Sequence, residues 1–417
     1  MARRLNDYRR VAVVFWVLTT IAIVVWSLVP GYAVGWDLDV YRHAIHSLQS
    51  GHDPYADGIA VQRAFHSTLA NHPSDYPPFT YVYSPITLPL LGIVGGWPVW
   101  LTGVGYWMLY FAGAAVAIWI GMLSVEEDER SVFAVLAPIA IFFPGLVLND
   151  VLFSGNIAYI LYGLVFGTAA LGWRGKGWGW FYAAVLIASC GKAPMLSLLV
   201  IPLVSERKQW LWAGATGMAG IVLFVMQPLL WPGSFGRYLE AVELQFSFNR
   251  DFGTSPAGQL AEVLYDAIPY RMTSAATYLL YAVPFFCALL YLSRRYFDGR
   301  FSQKQWIPVV LVGTLLMNPR ILEYDTAPMA IPMALIAWRF LGRGSSSVAR
   351  IVKASIFFAL INVWTVFHQA PRWRHMESVV LVAVFVAGAW LLLMTPDEDP
   401  AVDLVTAAES ELVLQVV

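Results

Sequence analysis

The sequence predicts an all-α integral membrane protein of the polytopic kind, with about twelve transmembrane helices. Two observations lead to this prediction. The 417 residues are 59% hydrophobic and only 13% charged, with a mean hydropathy of +0.62, which is too apolar for a soluble protein of this size. Apolar runs of about 20 residues recur along the chain, and each could cross a hydrocarbon core of about 30 Å as a helix.

The first predicted span covers residues 11–30, and a long loop, residues 31–97, follows it. Basic residues favour the cytoplasmic side of a membrane, so the arginines before the span predict a cytoplasmic N-terminus and an extracytoplasmic loop. A cleaved signal peptide is the alternative, but the run ends at Pro30-Gly31 without a small-residue cleavage site, which favours a retained anchor. The preceding arginines are Arg3, Arg4, Arg9 and Arg10.

The remaining spans are placed by hydropathy and by the positions of Lys and Arg. Residues 84–98 are apolar but short and rich in Pro and Gly, which indicates a re-entrant or interfacial segment. The apolar stretch 179–203 is interrupted by Gly191-Lys192-Ala193-Pro194, and we interpret it as a hairpin of two short helices. The other predicted spans are 99–123, 131–148, 156–172, 210–231, 273–293, 305–317, 322–341, 350–367 and 376–394.

This arrangement predicts one transmembrane domain, residues 1–395, with both termini in the cytoplasm. Residues 233–272 form a second large outer loop, and residues 396–417 form an acidic cytoplasmic tail. The net charge of −1 gives no basic footprint for nucleic acid. Cys190 and Cys287 both lie in apolar runs, which argues against a disulfide framework or a thiolate metal site.

The first loop carries the residues best suited to chemistry. Asp37 and Asp39 follow the first span closely, and a carboxylate at a membrane surface can accept a proton from a substrate hydroxyl. Asp also favours the position before a helix, so Asp39, or less readily Asp37, could instead cap a helix over 40–50. His43 and His46 share a helical face, but no clear third ligand accompanies them, so a divalent metal is the less favoured alternative and no cofactor is expected.

The first loop resembles a known family. Trp36-Asp37-Leu38-Asp39-Val40-Tyr41, followed by Gly51-His52-Asp53-Pro54-Tyr55, is similar to the signature of polyprenol-phosphate-dependent glycosyltransferases of the GT-C fold, family 87. The resemblance implies that Asp37 is the general base of an inverting sugar transfer, and that the donor sugar is mannose. Asn318 to Asp325 departs from the tryptophan- and histidine-rich element of the family's mannosyltransferases, which leaves other donor sugars open.

Further polar residues are candidates for substrate contact. Lys192 is costly in an apolar run, so it should have a partner or line a cavity; the alternatives are a contact to the donor phosphate or snorkelling to the interface. Arg320 is a second candidate for the phosphate, although its segment could also be a solvated turn with a local ion pair. We expect substrate contacts from Tyr41, Asp53, Tyr55, Asp150, Asn156, Glu323, Tyr324 and Asp325, with helix capping as the alternative for Asp150 and Asn156.

Together these features predict a transferase on the outer face of the cytoplasmic membrane. Its expected partners are a polyprenyl-phosphate sugar donor, a glycolipid or glycan acceptor, and membrane lipids. The sequence contains no soluble nucleotide-binding domain and no glycine-rich phosphate loop, which argues against a nucleotide-sugar donor. The alternative is a transporter or flippase of lipid-linked saccharides, which should show paired halves and charges inside its spans.

Overall fold

A computed structural model gives the fold. It describes residues 35–68, 80–98, 100–130, 154–247, 255–264, 270–342 and 376–394, together with isolated positions at 13–25, 133–137, 253 and 349–356. Every regular element in these residues is a helix, which confirms the predicted all-α class. The first predicted span, the spans at 131–148 and 350–367, and the acidic tail lie wholly or largely outside the described residues.

The first loop folds into short helices. Helix α1 begins at Trp36, four residues before the predicted start, because Gly35 takes a left-handed conformation with φ of 84° that turns the chain into the helix. The residue before the helix is Gly35, so the alternative of a helix cap holds for neither Asp37 nor Asp39, which both lie in the first turn. The loop helices are α1 (Trp36–Gln49), α2 (Pro54–Thr68), a 3₁₀ turn (Pro85–Thr87) and α3 (Leu88–Gly95).

Asp53 is the residue that caps a loop helix. Its Oδ1 accepts hydrogen bonds from the backbone N–H of Tyr55 at 2.8 Å and of Ala56 at 3.3 Å. Pro54 occupies the first helical position, where its missing N–H is not needed. The Gly51-His52-Asp53-Pro54-Tyr55 motif is thus the physical start of α2.

The next two helices cross at glycines. A π-helical turn (Leu101–Gly105) leads into α4 (Tyr106–Leu123), which packs along α5 (Ala158–Trp173). A Cβ atom added to Gly163 would lie 2.3 Å from Cα of Gly113, so the two backbones touch where no side chain fits. Such contacts are typical of helix pairs that associate by close van der Waals packing.

The interrupted stretch folds as the predicted hairpin. Helix α6 (Gly179–Gly191) ends at Lys192, which is extended, and the chain returns as a 3₁₀ helix (Ala193–Leu199) and α7 (Val200–Ser205). Pro194 favours this break because it cannot continue the preceding helix. The start of α6 and the end of α7 lie close together, because Nε1 of Trp178 donates to the Glu206 carboxylate at 2.6 Å. Lys192 is therefore at the apex.

One of the remaining helices, α13 (Gln303–Leu316), is buried in the protein. All of its residues from Trp306 to Leu316 are buried, and it packs against the helices before and after it. These elements are α8 (Trp210–Val225), α9 (Gln227–Leu230), α10 (Pro232–Ser247), α11 (Pro256–Leu264), α12 (Tyr270–Phe297), α13 (Gln303–Leu316), α14 (Glu323–Thr326), a 3₁₀ turn (Ala327–Met329), α15 (Ala330–Leu341) and α16 (Met376–Leu393).

Two helical stretches in the described residues, Leu101–Leu123 and Trp210–Leu230, are long and apolar enough to cross a membrane. Six other apolar helical stretches are shorter, at 10 to 17 residues. The two long stretches are mostly not buried in the protein: Leu211 is 77% exposed and Met108 is 68% exposed. Large apolar side chains arranged in this way leave a surface that water would not favour.

The glycine contact between α4 and α5 gives the first prediction. Gly163→Ala should destabilise the protein by about 1–3 kcal/mol, because the new methyl group overlaps the backbone at Gly113. Gly214→Ala is the matched control, since an added Cβ there meets nothing within 4 Å and Ala favours a helix. Thermal unfolding measures both. Equal unfolding temperatures for the two variants would contradict the close crossing.

Candidate functional site

A cavity of about 270 Å³, whose lining includes several charged and polar side chains, lies where the first loop, the hairpin apex, helix α10 and the segment around the start of α14 meet. The sequence-predicted residues that line it come from four distant parts of the chain, and the fold brings them to one place. They are Asp37, Asn156, Lys192, Arg320, Tyr324 and Asp325.

Asp37 is held in this wall by its backbone and by its carboxylate. Its N–H donates to the backbone oxygen of Ser154 at 2.9 Å, and Nδ2 of Asn156 donates to Oδ2 of the carboxylate at 3.1 Å. The side chain of Tyr324 is a further hydrogen-bond partner. The carboxylate is thus fixed in orientation while part of the residue faces the cavity.

Burial raises the pKa of Asp37 to about 6, because removal of water disfavours the charged carboxylate. The hydrogen bonds from Asn156 and Tyr324 and the positive charges of Lys192 and Arg320 lower the pKa, but they offset only part of the burial. A carboxylate with a pKa near neutrality is suited to accept a proton.

Asn156 does more than contact Asp37. Its Oδ1 accepts a hydrogen bond from the N–H of Ala158, the first residue of α5, at 2.9 Å. Its own N–H donates to Oγ of Ser154 at 3.1 Å. The amide is therefore oriented with Nδ2 towards Asp37, and the helix-capping and substrate-site alternatives for Asn156 are compatible.

Lys192 has a buried partner. Its Nζ lies 3.3 Å from Oδ1 of Asp325, and the side chains are 17% and 3% exposed. Oδ2 of Asp325 accepts the N–H of Leu322 at 3.0 Å, and the lysine also lies 6.0 Å from the ring centroid of Tyr324. This pairing at the hairpin apex favours the cavity-lining interpretation of Lys192 over the alternative of snorkelling to the interface.

Arg320 lines the cavity beside this pair. Its backbone N–H donates to Oδ1 of Asn318 at 3.0 Å, which closes the turn after α13. The cavity wall therefore carries the Asp37 carboxylate, the Arg320 side chain, and the ion pair of Lys192 with Asp325. This combination is suited to a ligand that has both hydroxyl groups and a phosphate.

The other sequence-predicted residues of the first loop do not line the cavity. Asp39 is exposed and pairs with Arg42 at 2.9 Å, and Asp53 pairs with Arg237 at 2.6 Å. Tyr55 is buried, and its hydroxyl donates to the backbone oxygen of Tyr83 at 2.5 Å. Of the two sequence-predicted aspartates, Asp37 lines the cavity and Asp39 does not.

Tyr41 also lies behind the cavity wall. Its hydroxyl is 2.6 Å from that of Tyr83 and accepts the N–H of Ile157 at 3.2 Å. Burial raises the pKa of both tyrosines well above the ordinary value, so they remain neutral donors and acceptors. Tyr41 thus supports Asp37 from behind and is not placed to contact a ligand directly.

Sequence reasoning missed several lining residues. Helix α10 contributes Tyr238, Val242 and Gln245, and the extended segment after residue 79 contributes Thr80 and Tyr83. The sequence signal for the α10 residues is their spacing, because residues that are three or four positions apart lie on the same face of a helix. Of the predicted substrate contacts, Asp150 and the side chain of Glu323 lie outside the described residues.

The described residues contain no group of three or more His, Cys, Asp and Glu side chains that could hold a metal ion. Nδ1 of His43 is 2.8 Å from the backbone oxygen of Asp39, within its own helix.

Comparisons of the chain with protein-family models, curated proteins and solved structures find no match.

The buried carboxylate gives a stability prediction. Because the pKa of Asp37 is raised in the folded state, its protonated form favours folding at low pH, and this contribution is lost as the pH rises through about 6. The stability of the wild type relative to Asp37→Asn should therefore fall by about 3 kcal/mol as the pH rises from below 3.8 to above about 6.

Asp39→Asn is the control for this measurement, since it removes an exposed carboxylate from the same helical turn. Its stability should follow the wild-type pH dependence. The prediction is wrong if Asp37→Asn and the wild type keep a constant difference in unfolding temperature across this pH range.

Proposed function

We propose that the chain is a multi-pass membrane glycosyltransferase that acts on the outer face of the cytoplasmic membrane. It transfers a hexosyl residue, with mannosyl as the first candidate, from a polyprenyl-phosphate sugar to a lipid-linked or cell-envelope glycan acceptor. The observation that carries this proposal is the half-buried Asp37 in one cavity with the charged side chains of Lys192 and Arg320. The resemblance of the first loop to polyprenol-phosphate-dependent transferases adds the class of donor.

The residues of the cavity divide the proposed chemistry between them. Asp37 removes the proton of an acceptor hydroxyl, whose oxygen attacks the anomeric carbon of the donor and forms the new glycosidic bond. The bond between that carbon and the phosphate oxygen breaks, and its electron pair stays on the phosphate. Arg320 and Lys192 stabilise the negative charge that develops there. One displacement from the opposite side inverts the configuration at the anomeric carbon.

The raised pKa of Asp37 supports this role. A carboxylate with the ordinary pKa is a weak base, whereas one with a pKa of about 6 is charged at neutral pH and holds a proton more strongly. Asn156 acts as a positioning residue, because its Nδ2 donates to Oδ2 of the carboxylate and fixes its orientation.

The exposed apolar helices support a membrane location and a lipid-carried donor. In the stretches Leu101–Leu123 and Trp210–Leu230 most residues are not buried in the protein, so these helices are unlike the core helices of a soluble protein. A donor dissolved in the same bilayer reaches a cavity at the membrane surface without a soluble nucleotide-binding domain.

The test is transfer from a panel of radiolabelled polyprenyl-phosphate sugars to membrane lipids by the purified protein. We expect one sugar to be incorporated, and Asp37→Asn to reduce the rate by about 10²–10⁴-fold, as expected for loss of a general base. Asp39→Asn is the matched control and should keep activity, because its carboxylate is exposed and outside the cavity.

Equal activity of Asp37→Asn and the wild type would remove the proposed base. Absence of transfer from every donor, combined with movement of lipid-linked sugar between leaflets, would favour the flippase instead.

The pH dependence of transfer gives a separate prediction. The rate should rise with pH and level off above about 6, because Asp37 must be deprotonated to act as a base. Asn156→Ala removes a hydrogen bond that lowers the pKa of Asp37, so the midpoint should move to higher pH. A loss of rate with an unchanged midpoint would mean that Asn156 acts only as a helix cap.

A further inference from the structure

A second cavity, of about 480 Å³, lies at the opposite end of helix α5 from the candidate site. Asn156 precedes the first turn of α5, whereas this cavity is lined by Ala170 and Trp173 in its last turn. A helix of this length spans about 24 Å. The two cavities are therefore separate.

The cavity has an apolar wall and a charged rim. The wall consists of Ile120 and Leu123 of α4, Ala170 of α5 and Ile307 of α13. The rim has two cations, Arg174 and Lys304, against one carboxylate, Glu126, so its formal charge is +1. A cavity of this kind fits a molecule that has an anionic group and an apolar part.

Arg174 is the cation best placed to bind an anion. It is exposed, and its guanidinium lies 4.8 Å above the ring centroid of Trp119. Stacking on an aromatic ring leaves the edge N–H groups of a guanidinium directed outwards, where they can donate to phosphate oxygens.

Lys304 is held in place by a network at the start of α13. Its Nζ lies 3.5 Å from Oε2 of Glu126, whose Oε1 accepts Oγ–H of Ser302 at 2.8 Å. Beside this network, Arg339 pairs with Glu129 at 2.8 Å. Glu126 is thus shared between two donors and neutralises Lys304 only in part.

Trp173 supplies an unused donor. Its indole Nε1 is buried, and within the part of the chain that the structure describes it has no hydrogen-bond partner. A buried donor without an acceptor is unfavourable, so a ligand oxygen at this position would be stabilising. Tryptophan is also typical of the membrane–water interface, where its apolar ring and polar N–H are both satisfied.

We propose that this second cavity binds a phosphate-bearing anion through Arg174, Lys304 and Trp173. The apolar wall and the predicted cytoplasmic position favour the headgroup of an anionic phospholipid in the inner leaflet. The inference rests on the proposed membrane location and not on the proposed transferase chemistry. A protein without transferase activity would still show this binding.

The test uses the full-length protein in nanodiscs of phosphatidylcholine, with or without phosphatidylglycerol. Phosphatidylglycerol should raise the Tm of the wild type, because a ligand that binds only the folded state stabilises it. The rise should disappear in the double variant Arg174→Gln/Lys304→Gln. It should remain in the control Lys176→Gln, which removes an exposed cation of the same turn that does not line the cavity.

Inorganic phosphate, added to the phosphatidylcholine nanodiscs at constant ionic strength, separates the two sources of the anion. A rise in Tm with phosphate that the double variant lacks would assign the site to a soluble phosphate. The proposal is overturned if the double variant responds to phosphatidylglycerol as the wild type does, or if neither probe changes the wild-type Tm.

Trp173→Phe provides a second variant if the double variant does not fold. It keeps the ring and both cations but removes the indole N–H, so the response to phosphatidylglycerol should be smaller than in the wild type. An undiminished response would contradict the role of Nε1.

Discussion

Burial of the Asp37 carboxylate is the constraint on which the arrangement of the first loop depends. A charged group removed from water is unfavourable unless hydrogen bonds and opposite charges surround it. Asn156, Tyr324, Lys192 and Arg320 supply these interactions, and they come from three other segments of the chain. These interactions offset only part of the unfavourable effect of burial on the charged carboxylate, so its pKa remains raised. The proposed function uses this incomplete compensation, since a base must be able to accept a proton.

The structural framework around Asp37 is built from backbone geometry and tyrosines. Gly35 turns the chain into α1, which puts Asp37 in the first turn, where its N–H reaches the oxygen of Ser154. The hydroxyl groups of Tyr41 and Tyr83 form a hydrogen bond behind the cavity wall. Asp53 caps the start of α2, the helix that contains Tyr55. The residues of the first-loop motif therefore have different positions in the structure: Asp37 lines the cavity, and most of the others form contacts within or around the loop.

The all-α class and the break in the hairpin could be predicted from the sequence, because they depend on local signals. The break at Lys192 follows from a charged residue and Pro194 in an apolar run. The start of α1 was misplaced because the conformation of Gly35 is not visible in a hydropathy pattern. The pairing of Lys192 with Asp325 and the contact of Asn156 with Asp37 could not be predicted, since each joins residues more than 100 positions apart in the chain.

The most direct test of this account is the protonation of Asp37 itself. Infrared difference spectra of the full-length protein, recorded as the pH is raised, show the carbonyl band of each protonated carboxyl group that titrates. The account predicts a band that disappears with a midpoint near pH 6 in the wild type and in Asp39→Asn, and that is missing in Asp37→Asn. Identical spectra for the wild type and Asp37→Asn across this range would contradict the central claim.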